Sequence, residues 1–494
     1  MESALIILIA APLAAGLVSL VVRTRRVMER LQLGHAVVLW AAMAAVVSGV
    51  AAGDDVSFGT FLHADPLSAF MDLMLAFVGG TALFYAVGYM GEELSREQLS
   101  FLRYRRFFVY FDLFLFAMVL AVNLDNIALM WIAVEGSTIS AALSVGFNRT
   151  KAALEAGWKY IIVNFVGIAL ALFGTVLVYY TSEHVLGVSM EALRWSALAR
   201  VAGSLNPVVL ELAFVFVMIG YGTKAGVAPM HTWLPDAHSE APTPISAVLS
   251  GLMINLGLYA VLRLKTIVDP AVGPDFAGSI MVGLGLLSMT IAATFMLIQR
   301  DYKRFFAYSS IEHVGIVLVG FGVGGAAGVF GGLFHMINHA LAKSTAFYAA
   351  GLVLLRYGHK NMEGVTGLLR QMPLVGGAML LAALALAGMP PFGLFISEFL
   401  IATGAYVEQP WVAYGFLGLL VVAFAALVYP VFRMVLGEPK EAGLTLTAGG
   451  NRFAAVSLMA NLVAMGYIGL HMPGFLRALF IPMTHVFHAM AEIP

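Results

Sequence analysis

The sequence predicts an all-α polytopic membrane protein with about fourteen transmembrane helices, two of them broken. Three observations predict this class. Hydrophobic residues make up 61% of the 494 residues and charged residues only 11%, less than half the charged fraction of a typical soluble domain. The mean hydropathy is +0.91. Apolar runs long enough to cross a bilayer recur along the whole chain.

The composition also limits the function. The net charge is −1, which argues against nucleic acid as a partner. The chain has no cysteine, so thiolate-held iron–sulfur clusters, disulfides and cysteine zinc sites are excluded. No phosphate loop, nucleophile elbow or HExxH motif is found. We therefore expect neither a cofactor nor a metal. The run Leu5–Val22 lacks a preceding basic region, so we expect a first membrane helix and not a removed signal.

A window of about 19 residues locates the spans. The predicted limits are 3–22, 31–52, 66–90, 107–122, 126–147, 157–180, 207–226, 244–264, 277–298, 305–323, 327–355, 375–406, 411–436 and 453–472. The amphipathic segment Pro473–Pro494 is expected at the membrane interface. Of the 27 basic residues, 19 fall in the odd-numbered connections and 5 in the others. The positive-inside rule then places both termini outside the cytoplasm.

Span 7 is the first predicted broken helix. Gly220, Gly222, Gly226 and Pro229 follow one another within ten residues, and glycine and proline weaken a helix. Lys224 lies inside this stretch, and a lysine at that depth is costly unless it is paired or hydrated. A broken helix around a buried ionisable group is typical of an ion pathway in a transporter.

A second break, Gly388–Gly393, lies in span 12, five residues before Glu398. Glu135 precedes Lys224 by 89 residues and His313 precedes Glu398 by 85. This spacing predicts two five-helix repeats, spans 4–8 and 9–13, inverted relative to each other because five is odd. The predicted domains are the N-terminal helices 1–106, the first repeat 107–264, the second repeat 265–436, and the last helix with its tail, 437–494.

Ionisable residues within the spans are the candidate functional groups. Glu135 in span 5 is expected to pair with Lys224; the alternative is a static structural ion pair. Lys159 at the start of span 6 either takes part in transport or extends to the interface. His335, His339 and Lys343 share one helical face at i, i+4 and i+8. This stripe is interpreted as a proton path or as structure alone; two histidines at i, i+4 also suit zinc, but Lys343 would repel it.

Further ionisable residues lie in spans 10 and 12 and in the connection after span 7. Glu398 needs a partner, and Lys343 is the expected one. Glu312 and His313 lie early in span 10, in the path or near the surface. The connection after span 7 holds a proton-entry funnel or a solvated loop, formed by His231, Asp236, His238 and Glu240.

Several stretches of the sequence resemble a known family of membrane subunits. KAGVAPMHTWLPDAHSEAPTPISAVLSG, QRDYKRFFAYSSIEHVGI, FHMINHALAKSTAFYAAG and GMPPFGLFISEFLI resemble the antiporter-like proton-pumping subunits of respiratory complex I, Mrp antiporters and group 4 hydrogenases. IAVEGSTISAAL and YSSIEH most resemble the component F subunits of those hydrogenases. The resemblance covers roughly spans 3 to 13. The chain ends soon after span 14, so the long lateral helix of the largest complex I subunit is not expected.

The resemblance implies a role for each matching residue. Glu135 and Lys224 match a glutamate–lysine pair, and Lys159 a span 6 lysine. His335, His339 and Lys343 match the central axis, and Glu398 the ionisable group of span 12. His238, His313 and Asn255 are candidates for proton access. Asn255 stands where some members have lysine, and others have histidine near Ser250, so the link between the two halves is open to a bridging water.

These observations predict a proton-translocating membrane subunit of a complex I-like oxidoreductase, most similar to group 4 hydrogenases. Its expected partners are other membrane subunits and, indirectly, a peripheral [NiFe] hydrogenase-like or quinone-reductase arm that holds the redox centres. The alternatives are a sodium/proton antiporter of Mrp or stand-alone type, or a scaffold that no longer pumps. The scaffold is disfavoured because unused charges in a membrane are costly.

Overall fold

The computed structural model describes residues 1–439 and 452–489. The N-terminal helices are α1 (Glu2–Ser19), α2 (Arg25–Ala51) and α3 (Pro66–Ser95), with the hairpin strands β1 (Val56–Phe58) and β2 (Leu62–Ala64) between α2 and α3. Next come α4 (Phe101–Val122), α5 (Ile127–Val145), α6 (Lys151–Leu186), α7 (Trp195–Val201), α8 (Pro207–Ala225), α9 (Leu234–Glu240), α10 (Thr243–Val248) and α11 (Ile254–Val272).

The second half of the chain has the same all-helical character. Its helices are α12 (Pro274–Ile298), α13 (Tyr302–Val323), α14 (Gly325–Tyr357), α15 (Leu368–Gln371), α16 (Pro373–Leu386), α17 (Gly393–Glu408), α18 (Pro410–Leu436), α19 (Arg452–Leu470) and α20 (Gly474–Ala489). The all-α membrane fold is thus confirmed. Within the described residues, eleven helical segments are long and apolar enough to cross a membrane.

The three remaining predicted spans correspond to α4, α14 and the pair α16–α17. Charged and polar residues lower the hydropathy of α4 and α14, whereas the break leaves α16 and α17 too short, at 14 and 16 residues, to cross a membrane singly. The long helices pack on one another in order in both predicted repeat units, α4, α5, α6, α8 and α11 in the first, and α12, α13, α14 and α16 in the second. The number of fourteen spans, the inversion of the repeats and the domain limits stay predictions.

The glycine pattern predicts a first break that surrounds Lys224. In the structure, the break instead follows Lys224. Helix α8 ends at Ala225, and Gly226 adopts a left-handed conformation (φ 78°) that only glycine takes without cost. The Gly226 amide donates to the carbonyl oxygens of Gly222 and Thr223, and the Val227 amide donates to that of Gly222. The Trp233 indole donates to the Thr223 carbonyl oxygen at 2.9 Å. These bonds satisfy the backbone groups that the end of a helix leaves unpaired.

The second break separates α16 from α17 at residues 387–392. Gly388 is left-handed (φ 65°), and the Glu398 carboxylate lies where a β-carbon at residue 388 would be. Asn338 of α14 occupies the matching space beside Gly393. Both glycines therefore allow polar side chains to approach the backbone of the break directly.

The C-terminal helix α20 packs against the N-terminal part of the chain. Phe480 meets Phe70 of α3 and Phe330 of α14 edge to face, with ring centroids 5.1 and 5.4 Å apart. This contact accounts for the amphipathic pattern of the segment, and its place at the membrane interface stays a prediction. Lys440, counted among the cytoplasmic basic residues, and residues 490–494 of the predicted tail lie outside the described residues.

A glycine contact positions α8, the helix that carries Lys224. A β-carbon at Gly220 would lie 2.6 Å from the Gly167 carbonyl oxygen of α6. We expect Gly220→Ala to lower the free energy of unfolding by about 1–3 kcal/mol, because overpacking forces the backbones apart. The measurement is the unfolding midpoint in mild detergent. Gly34→Ala is the matched control, since nothing lies within 4 Å of its β-carbon; equal midpoints for the two variants would contradict this packing.

Candidate functional site

Lys224 lies in the last turn of α8 with only 1% of its surface exposed. Its ammonium group donates to the Thr138 hydroxyl of α5 at 2.7 Å. The Val134 carbonyl oxygen at 3.4 Å and the Tyr160 hydroxyl at 3.5 Å are its other partners. All of these acceptors are neutral, and the C-terminal end of α8 adds a partial negative charge. Lys224 can therefore gain or lose a proton without breaking a direct ion pair.

Glu135, the predicted direct partner of Lys224, is half-buried in α5. No ion pair within 4.0 Å joins the two residues in the described part of the chain, so the predicted direct pairing is not found. Thr138 lies one helical turn after Glu135 and interacts with both charged groups. One carboxylate oxygen of Glu135 has no hydrogen-bond partner. The pair thus acts across a hydroxyl, with one carboxylate oxygen left free to accept a further bond.

Lys159, at the start of α6, is paired with α9. Its ammonium group lies 2.7 Å from Asp236, and Arg304 of α13 pairs with the same carboxylate. The side chain of Lys159 is 41% exposed. The ion pair fixes the first turns of α6 against α9 and α13, and thereby positions the neighbouring Tyr160 beside Lys224.

The connection after span 7 is a short helix, α9, tucked into the protein, and not a solvated loop. Asp236 is paired as described above, and Glu240 pairs with Lys360 at 2.7 Å. His238 is fully buried; its Nδ1 atom bonds to the Leu234 carbonyl oxygen at 2.8 Å, and its Nε2 atom has no partner. His231 is 8% exposed and likewise has a free Nδ1 atom. Of the two, only His231 lies where solvent reaches it.

A one-turn π-helical segment, Leu249–Met253, separates α10 from α11. Such wide turns are often found at functional sites. Within it, the Ser250 hydroxyl lies 2.6 Å from the Ser310 hydroxyl of α13. Met253 accepts a hydrogen bond of 3.2 Å from Tyr160. The amide of Asn255 donates to the Gly251 carbonyl oxygen within the same segment at 2.8 Å, so this bond holds the wide turn.

Ser310 leads on to Lys343. Its hydroxyl donates to the Phe306 carbonyl oxygen at 3.1 Å, and the Lys343 ammonium group donates to the same oxygen at 2.8 Å. Ser250 and Ser310 are therefore joined by a direct hydrogen bond, whereas Ser310 and Lys343 only share the Phe306 carbonyl oxygen as an acceptor. The two hydroxyls shorten the gap between the halves, and the bridging water that the resemblance implied is still needed to complete it.

The histidines of α13 and α14 form one buried group. The Nδ1 atom of His313 lies 2.9 Å from Nε2 of His335, whose own Nδ1 lies 2.9 Å from the Ser397 hydroxyl of α17. His339 stacks beside His313, with ring centroids 4.9 Å apart, and its Nε2 atom has no partner. His313 is fully buried, so its alternative position near the surface is wrong.

Glu398 faces Glu312 and the histidines, whereas its predicted partner was Lys343. No cation lies within 4.0 Å of Glu398 in the described residues, and the charge that acts on it is that of Glu312. Lys343 instead interacts with Glu312. The direct pairing of Glu398 with Lys343 is not found among the described residues; Glu312 acts on both groups instead. Glu312 itself is 3% exposed, buried as deeply as the histidines.

Three of these residues are close enough to consider a metal ion. His313, His335 and Glu398 each offer one ligand atom, all within 4.8 Å of one another. The hydrogen bond between the two histidines, however, uses the ring nitrogens that face each other. A shared proton explains this geometry with no metal ion.

Sequence reasoning missed the hydroxyls that connect the charged groups. Thr138, Tyr160 and Ser397 each contact a buried ionisable residue, and Ser310 shares the Phe306 carbonyl oxygen with Lys343. Ser310 lies three residues before His313, and Thr138 three after Glu135, so helical spacing placed them on the same faces. Serine and threonine are common in membrane helices, where they bond to their own backbone, so spacing alone did not single them out.

A buried ion pair lies apart from this row, at the N-terminal end of α3. The guanidinium of Arg263 in α11 makes two hydrogen bonds to Asp65, the residue that caps α3, and one of 2.8 Å to Ser68. The Trp195 ring covers the guanidinium at 4.3 Å. Burial alone would raise the pKa of Asp65, but the Arg263 charge outweighs it and lowers that pKa to about 2.

The low pKa of Asp65 predicts an acid-dependent stability. Because its folded-state pKa lies below the ordinary value of 3.8, the carboxylate stabilises the protein above pH 4 and loses that contribution as pH falls toward 2. The expected contribution at pH 7 is about 2 kcal/mol. The measurement is the unfolding midpoint of the wild type and of Asp65→Asn between pH 7 and pH 3. The difference should be largest at pH 7 and shrink below pH 4; a constant difference would contradict the ion pair's role.

Comparison with known proteins places the chain in a family. Residues 125–424 match the family described as NADH:quinone oxidoreductase/Mrp antiporter, transmembrane. Residues 50–108 match the N-terminus of chain 5 of NADH-ubiquinone oxidoreductase (complex I). The chain is an antiporter-like membrane subunit, and it belongs to the NADH:quinone oxidoreductase/Mrp antiporter family.

Individual relatives agree with this assignment. The hydrogenase-4 component F homolog of Methylacidiphilum infernorum is 41% identical over 77% of this chain and 80% of that protein. Hydrogenase-4 component B of Escherichia coli is 30% identical over 68% of this chain, but the match spans only 50% of that protein. A chain of the archaeal membrane-bound sulfane sulfur reductase has the same fold, with a TM-score of 0.87, 23% identity, and coverage of 99% of this chain and 98% of that one.

Proposed function

We propose that this chain is the proton-translocating membrane subunit of a complex I-like oxidoreductase of the group 4 hydrogenase type. The observation that supports this most is the row of buried polar groups from Lys224 to Glu398. It passes through Tyr160, the π-helical segment, Ser310, Lys343 and the histidine group. A row of protonatable side chains and hydroxyls in the middle of apolar helices can carry protons and has no cheaper explanation.

The proposed path has two ends and a centre. Protons enter near His231, the one histidine of the α9 region that solvent reaches, and reach Lys224. The charge of Glu135, acting across Thr138, determines how firmly Lys224 holds its proton. From Lys224 the proton passes the hydroxyls of Tyr160, Ser250 and Ser310 to reach Lys343, with water completing the steps from Tyr160 to Ser250 and from Ser310 to Lys343, which no direct hydrogen bond joins among the described residues. His238, with its free Nε2 atom, is the candidate second route between the halves.

The second part of the path begins at Lys343. The proton moves from Lys343 to Glu312, and through His339, His313 and His335 to Glu398. Moving one charge against 100 mV requires about 2.3 kcal/mol, which corresponds to a pKa change of under two units at one site. Modest changes in the distance between Glu135 and Lys224 are sufficient to provide it.

The remaining assignments follow from the family. The relatives' names place such subunits in hydrogenase and quinone oxidoreductase complexes. We therefore assign other membrane subunits as direct neighbours and a peripheral redox arm, hydrogenase-like or quinone-reducing, as the source of energy. The positive-inside bias supports an inner (plasma) membrane location with both termini on the outer side.

The experiment uses inverted membrane vesicles that contain the parent complex. Addition of the electron donor should drive proton uptake, seen as quenching of a pH-sensitive dye, both with sodium present and in sodium-free medium. Uptake only when sodium is present would favour the second candidate, a sodium/proton antiporter, which the family description includes. Electron transfer with no proton uptake in either medium would leave the scaffold alternative and contradict the proposal.

A further inference from the structure

A basic pocket lies between the ends of α4, α5 and α6, and none of its lining residues belongs to the ionisable row. Its volume is about 210 Å³, and its wall includes Arg103, Arg106 and Arg149. Tyr110 and Trp158 line it as well. Three arginines around one pocket form a site for an anion, because the planar guanidinium bonds phosphate oxygens in pairs.

The positive charge of the pocket is not balanced within the described residues. No aspartate or glutamate lines the pocket, and none of the three arginines takes part in a salt bridge there. Arg103 is fixed by a bond of 2.8 Å to the Phe147 carbonyl oxygen, and Glu93 acts on it from a distance. Arg106 and Arg149 are exposed and have no protein acceptor among the described residues. They are therefore available to a ligand.

The backbone at Arg149 leads directly into the N-terminal end of α6. Arg149 adopts a left-handed conformation (φ 56°), which is unfavourable for a residue with a β-carbon. It directly precedes Thr150, whose hydroxyl caps the first turn of α6 by accepting from the Ala153 amide at 3.1 Å. The N-terminal end of α6, with its partial positive charge, thus lies beside the third arginine.

The apolar part of the pocket distinguishes a lipid from a soluble anion. Leu143, Leu154, Trp158 and Ile161 form one side, and Trp158 is 64% exposed. Exposed apolar residues continue from there along α6 through Ile162 and Val166. Tryptophan favours the level of lipid headgroups. A soluble phosphate has no use for this apolar surface, whereas acyl chains do.

We propose that this pocket binds the headgroup phosphate of an anionic phospholipid, with Arg106 and Arg149 on the phosphate and the acyl chains along α5 and α6. Basic pockets between membrane helices bind anionic headgroups by the same chemistry. The site is independent of proton translocation, since none of its residues belongs to the row from Lys224 to Glu398.

Trp158 provides a built-in reporter. The intact complex is placed in phosphatidylcholine nanodiscs that contain either brominated phosphatidylglycerol or brominated phosphatidylcholine at equal mole fraction. The fluorescence of Trp158 is obtained as the difference between the fluorescence of the wild type and that of Trp158→Phe. We expect phosphatidylglycerol to quench Trp158 more strongly. The double variant Arg106→Gln/Arg149→Gln should require on the order of tenfold more of that lipid for half-maximal quenching.

Arg30→Gln is the matched control, since Arg30 is exposed on α2 and lies outside the pocket; it should keep the wild-type response. Equal quenching by both lipids would overturn the proposal and would mean that the pocket is empty of lipid or covered by a neighbouring subunit. Loss of the excess quenching on addition of inorganic phosphate would also overturn it, because a soluble anion would then be the ligand. Excess quenching that persists in the double variant would remove the arginines from the site.

Discussion

Vesicles that carry Lys224→Ala in the parent complex are expected to show no donor-driven proton uptake above background, while electron transfer continues. The physical reason is that, among the residues that the structure describes, Lys224 is the only ionisable group bonded to both Thr138 and Tyr160, where α5 and α6 meet α8. Alanine leaves no proton-binding atom at this point. Lys224→Arg should fail as well, because arginine keeps its proton at any accessible pH.

A second buried lysine provides the control for Lys224. Lys265 of α11 is 4% exposed and pairs with Asp269 of the same helix, outside the proposed path. Lys265→Gln should keep proton uptake within about twofold of the wild type, since it removes a charge without interrupting the row. Wild-type uptake by Lys224→Ala, or equal losses in both variants, would contradict a specific role for Lys224.

The second large effect is expected at the two carboxyl groups of the second half. Glu398→Gln keeps the shape of the side chain and removes its proton site, so proton uptake should fall at least about tenfold. Glu312→Gln should also lower it. Two buried carboxyls that act on each other cannot easily both be ionised, so the charge states of Glu312 and Glu398 are expected to depend on each other.

The interaction between Glu312 and Glu398 predicts non-additive effects of their substitution on proton uptake. In a double-mutant cycle, Glu312→Gln and Glu398→Gln together should lose much less than the sum of the separate losses, with an interaction of about 0.5–3 kcal/mol. Lys343→Ala combined with Glu398→Gln is the comparison, because no ion pair joins those two residues in the described part of the chain. A stronger interaction for the lysine pair than for the carboxyl pair would restore direct pairing of Glu398 with Lys343 and contradict the observed arrangement.

The sequence predicted the features that depend on composition and local geometry. Glycine and proline marked both helix breaks, because their effect on a helix is local. Lys224 and Glu398 were predicted to be buried, since each lies in an apolar run next to a break. The first break begins one turn later than predicted. Gly220 and Gly222 remain inside α8, where they allow close packing against α6 and Val227.

The partners of the charged groups could not be predicted in the same way. Which group faces Glu398 depends on how α13 and α17 are rotated about their axes, and no local pattern fixes that rotation. His313 looked close to the surface because span 10 was drawn three residues too short, and because the cover provided by α14 is a long-range contact. The hydroxyl link through Ser250 and Ser310 joins residues 60 positions apart, so only the folded arrangement reveals it.

The most direct measurement is the number of protons taken up per electron pair by the purified complex in sealed proteoliposomes. Electron transfer and proton uptake are recorded in the same sample, for the wild type and for Lys224→Ala. We predict that the variant keeps electron transfer while its proton uptake per electron pair falls to background. An unchanged ratio in the variant would show that the row from Lys224 to Glu398 does not carry protons.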